Sequence, residues 1–103
     1  MREVRAAWGS ITATQAAMLV QRPRDADYAR IELDARRMEV AASFMAEHPP
    51  ARARDTVASM SQVLAGDASD LADAAHAKKL EELARALGET SAHCAGRHQQ
   101  TRW

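Results

Sequence analysis

The reactive side chains of this chain gather near its end, in Ser91-Ala92-His93-Cys94-Ala95-Gly96-Arg97-His98. Cys94 and His98 stand four residues apart, so on a helix they share one face and can reach one ligand or metal. Two donors make half a site. His48 is the candidate third ligand, because in an up-down-up-down bundle its loop lies at the same end as the C-terminus. The same residue types also describe a buried thiol beside a surface histidine. Covalent catalysis would give Cys94 a base in His93 or His98, but nothing supplies a clear oxyanion hole. The four glycines, Gly9, Gly66, Gly88 and Gly96, are isolated, so no glycine-rich phosphate loop is present. Glu81 and Glu82 sit beside Lys78, Lys79 and Arg85, the pattern of a solvated helix face. The expectation is a protein that binds and does not catalyse.

The ending Cys94-Ala-Gly-Arg97-His98-Gln-Gln-Thr-Arg102 resembles that of the cytochrome c-prime family. Members of that family are four-helix bundles of similar length whose last helix carries Cys-x-x-Cys-His and then an arginine. Relatives that hold haem b without covalent links keep the histidine and the trailing arginine. The resemblance implies a haem site with Cys94 as an attaching cysteine, His98 as the axial ligand and Arg102 as the trailing arginine. The match covers about nine residues. Arg97 stands where the family has its second cysteine, and Trp8, not a methionine, is near the sixth-ligand place in the first helix.

The composition narrows the classes of function. The chain has 103 residues, which is one ordinary domain, spanning 1–103. Fourteen Lys and Arg balance fourteen Asp and Glu, and each half of the chain is balanced too. Nucleic-acid backbones select a cationic surplus, so nucleic acid is not the expected partner. A helix-turn-helix would need a basic recognition helix, and the third segment offers only Arg52 and Arg54. One cysteine excludes an intrachain disulfide framework. No apolar run has the length of a membrane span, and MREVRAAW lacks the apolar core of a signal peptide. The expected location is cytoplasmic, or periplasmic had a leader been removed.

Breaks at Arg22-Pro23-Arg24-Asp25, His48-Pro49-Pro50 and Gly66-Asp67-Ala68-Ser69-Asp70 divide the chain into four helical segments. The first, about 2–21, has the stripe Val4, Trp8, Ile11, Gln15 and Met18, widened by Ala7 and Leu19. The second, about 26–47 with Asp25 as its cap, has Tyr28, Ile31, Ala35, Met38, Ala42 and Met45. A third segment, about 50–65, is ended by Gly66, and Ala53, Val57, Met60 and Leu64 form its stripe. The fourth starts from an Asp67, Ser69 or Asp70 cap and carries Leu71, Ala75, Leu80, Leu83, Leu87, Ser91, Cys94 and His98. Gly88 could split it, with Thr90 or Ser91 capping the second piece.

These elements predict an all-α, up-down-up-down four-helix bundle. Of the 103 residues 24 are alanine, so the core is thin and helices approach closely. Segment two has a surplus: Leu33, Val40 and Phe44 lie on the side opposite Ile31. A helix apolar on two sides is either sandwiched or offers one side to another chain. The expected contact surface is Leu33, Val40 and Phe44 with Arg36 and Arg37 at the rim. Its partner would be another protein or a second copy, as in an adaptor, an inhibitor or a dimeric regulator.

Overall fold

The computed structural model describes residues 2–101, with side chains described for 2–94. Four helices are present: α1 (Arg2–Val20), α2 (Asp25–Glu47), α3 (Arg54–His76) and α4 (Leu80–Thr101). They form an all-α four-helix bundle 45 Å long and 23 × 20 Å across. Packing is sequential: α1 lies on α2, α2 on α3 and α3 on α4.

The α2–α3 seam is the most extensive, and its residue types explain why. Ala35 and Ala42 of α2, with Ala68, Ala72 and Ala75 of α3, are all buried. Small side chains let two backbones approach, and the larger Ile31, Met38 and Leu71 fill what remains. Each of those three contributes roughly 1.5–3 kcal/mol by leaving water. Polar and charged contacts edge the same seam. Arg36 reaches Asp73 at 3.0 Å, His76 reaches Glu32 at 3.0 Å and Lys78 reaches Asp25 at 3.2 Å. Residue numbers rise on one side as they fall on the other, which makes α2 and α3 antiparallel. Hydrogen bonds to Glu39 on the same helix and then to Asp73 hold the Arg36 guanidinium's pKa above its ordinary value.

The first two helices keep the expected spacing. Val4, Ala7, Ile11 and Met18 are buried on α1, and Ile31, Ala35, Met38 and Ala42 on α2. Trp8 and Tyr28 are half-buried against the core. Leu19 departs from expectation by facing solvent, where α1 reaches its end. The cap of α2 is Arg24, not Asp25; its backbone N–H donates to Asp27 Oδ2 at 3.0 Å.

The second half of the chain corrects the sequence reading. α3 does not stop at Gly66 but runs ten residues further, to His76. An interior glycine costs about 1 kcal/mol relative to alanine, less than is gained by burying Leu64, Ala68, Leu71, Ala72 and Ala75 along one unbroken side. Asp67, Ser69 and Asp70 are therefore interior residues of α3, not caps. The actual turn is Ala77-Lys78-Lys79. Lys78 takes a left-handed conformation (φ 57), its N–H donates to Ala75 O, and the Lys79 N–H donates to Ala74 O. That is a Schellman motif with lysine in the place glycine usually holds. α4 then continues through Gly88 without a break. Thr90 caps nothing; it is buried inside α4 and its hydroxyl donates to Ala86 O at 2.8 Å.

Candidate functional site

A groove of about 990 Å³ runs between α1 and α2. Its apolar lining includes Leu33, Val40 and Phe44, which are 48%, 71% and 62% exposed. Arg36 and Arg37 also line it, so the five residues expected as a contact surface come together. The two arginines differ in setting. Arg36 is turned toward Glu39 and Asp73 and ties α2 to α3. Arg37 is exposed, 4.0 Å from Asp34.

Part of the groove's lining is a polar cluster of Ser10, Arg30 and Asp34 that the spacing of apolar residues did not reveal. Asp34 is only 2% exposed. Its Oδ2 accepts from the Ser10 hydroxyl at 2.6 Å and from Arg30 Nε at 3.1 Å. Arg30 Nε also donates to Ser10 Oγ at 3.3 Å. A carboxylate out of water needs such donors, because an unmatched buried charge is strongly destabilising. The cluster pins the middle of α1 to the first half of α2. Antiparallel running, enforced by the short 21–24 connection, then sets Glu3, two turns earlier on α1, toward the Val40–Phe44 end of the groove. One signal in the sequence pointed here: Asp34 stands next to Ala35 of the apolar stripe, with Arg30 one turn before it.

The C-terminal residues are placed differently. Cys94 is half-buried and packs against the core, on α4, and it does not line the groove. His93 points back across α3, with Nδ1 2.8 Å from the nearly buried Asp67 Oδ2. His76 belongs to α3, a different helix from Cys94. The His98 side chain and all of Arg102 lie outside the described residues, as does Trp103. His48 is exposed just after α2, its ring 4.6 Å from that of Phe44. Among the described residues no group of three or more His, Cys, Asp or Glu is placed to hold a metal ion. Among the same residues no helix is long and apolar enough to cross a membrane.

No protein-family model, curated protein or solved structure matches the chain.

The chemistry available at the groove is that of recognition. It has an apolar floor, exposed cations at the first half of α2 and a carboxylate whose oxygens are engaged by its own helix and α1. An apolar surface with charge at its rim is one on which water can be displaced and a bound group oriented.

Proposed function

We propose that this chain works by protein–protein contact through the outer side of α2 and not by catalysis. The observation that carries the reading is the exposure of Leu33, Val40 and Phe44 along one line of a helix whose other side is fully packed. Three large apolar groups on one stripe of a small domain cost solubility unless a partner covers them. Arg37 and Arg30 edge the stripe and give a partner its orientation. An adaptor, an inhibitor or a dimeric regulator would use such a surface.

The test is Val40→Asp, followed by circular dichroism and thermal melting in dilute solution. The expected outcome is unchanged helicity and a melting temperature close to the parent's, with loss of any association. A variant that melts well below the parent would show that Val40 supports the fold itself, and the reading would fail.

A second reading has one observation in its favour. The unbroken course of α4 keeps Cys94 and His98 one helical turn apart, as haem or metal binding for electron transfer or sensing would require. A bound haem would supply the redox or gas-binding chemistry, with Cys94 and His98 as the residues to hold it. Its test is a Soret band on haemin titration that disappears in His98→Ala.

A further inference from the structure

The exposed stripe of α2 has an internal symmetry. Arg30, Leu33, Arg37, Val40, Phe44 and Glu47 are all exposed and follow one another at intervals of 3, 4, 3, 4 and 3. Read from either end, the intervals are the same. The charges are not: cations occupy Arg30 and Arg37, while Glu47 closes the far end, where Glu3 of α1 also lines the groove. A helix side with palindromic spacing and opposite charge at its two ends is complementary to itself when turned through a half-circle.

We infer that the occupant of this surface is a second copy of the chain, with the two α2 helices packed antiparallel about a twofold axis between Arg37 and Val40. The inference rests on the interaction reading above and names its partner. In this register Leu33 meets Phe44 of the second copy, and Arg37 lays its aliphatic stem over Val40 of the second copy. Arg30 meets Glu47 of the second copy, and each pairing occurs twice. Parallel pairing would set Arg30 and Arg37 against themselves, so charge selects the antiparallel arrangement. The chain's zero formal charge adds no long-range repulsion between copies. The interval from Arg30 to Glu47 is about 25 Å at 1.5 Å per residue, so the contact uses most of α2.

Sedimentation equilibrium from micromolar to millimolar concentration tests the pairing. The full chain is expected to dimerise reversibly. Val40→Asp, at the axis, is expected to weaken the dimer about a hundredfold or more. Glu47→Arg sets like charges opposite Arg30 twice and is expected to weaken it about tenfold. The decisive arm mixes Arg30→Glu with Glu47→Arg. Each variant alone has two repulsive pairs, whereas one copy of each restores two attractive ones, so heterodimers should exceed both homodimers. Arg30 also holds Asp34, so its variant is checked by circular dichroism. If it does not fold, Glu47→Arg and Val40→Asp decide the matter without it. A full chain that stays monomeric to millimolar concentration overturns the second copy as occupant and leaves the interaction reading standing. A dimer indifferent to Val40→Asp and Glu47→Arg forms elsewhere, which also overturns the inference. Melting of monomeric Val40→Asp would instead remove the interaction reading beneath it.

Discussion

On one side of α2, Ile31, Ala35, Met38 and Ala42 are sealed from water; on the other, Leu33, Val40 and Phe44 stand in it. Both sides are apolar, and the outer one holds the largest side chain of the seven. Their difference comes from the neighbours. The inner side meets alanines of α3 that permit close approach along its length. The outer side has α1 only along one edge, because Ser10, Arg30 and Asp34 hold α1 there. Hydrophobicity marks what must be covered, and small residues or polar clusters on the next helix decide whether the chain covers it itself.

The largest effect should separate the two sides directly. Met38→Ala removes a fully buried side chain from the inner side. It is expected to cost about 2–5 kcal/mol, by lost burial and the cavity left behind. Urea denaturation of the two proteins checks it. A loss below about 1 kcal/mol would mean that the inner side is loosely packed and that the contrast between the sides is weak.

Asp34→Ala attacks the cluster that sets α1 at the edge of the outer side. Ser10 and Arg30 lose their shared acceptor, and the expected cost is about 1–3 kcal/mol. The sharper readout is hydrogen exchange, which should rise in α1 and leave the α2–α3 seam protected. Uniform loosening of all four helices would show that the cluster supports the whole bundle and does not specifically position α1.

How far these features were legible in the sequence depends on how local their causes are. The stripes of α1 and α2 and the surplus on α2 follow from helical spacing within one segment, and apart from Leu19, which faces solvent, the structure has them. The α3–α4 boundary was misplaced because Gly66 and Asp67-Ala68-Ser69-Asp70 carry the side chains of a helix stop and restart. Burial of Leu64, Ala68 and Leu71 on one line overrides that local preference, and the turn falls on Lys78, a residue with no affinity for the left-handed conformation. Ser10 with Asp34, and His93 with Asp67, join residues 24 and 26 positions apart, which no local pattern can pair. The His98 side chain and Arg102, read as haem residues, lie outside the described residues.

Lys78→Gly sharpens the account of the inner seam at its end. Glycine adopts φ 57 without the steric cost that lysine bears there. The exposed pair with Asp25 is lost, at little cost. A net gain of about 1 kcal/mol is expected, read as a higher urea midpoint at unchanged slope. A loss would show that the Asp25 contact holds the seam closed more strongly than an exposed ion pair ordinarily does.

Phe44→Ala should have the smallest effect and is the closest counterpart to Met38→Ala. The phenyl ring is mostly in solvent and touches His48 at one edge. Alanine favours the helix by a few tenths of a kcal/mol, against a lost ring contact of similar size. In dilute solution, where copies are apart, the stability change is expected to stay within about 0.5 kcal/mol. At high concentration the same variant should lose the association that covers Leu33 of the second copy. A loss of several kcal/mol in the dilute monomer would show that the ring supports the fold of the single chain, and the two sides of α2 would then be two halves of one core.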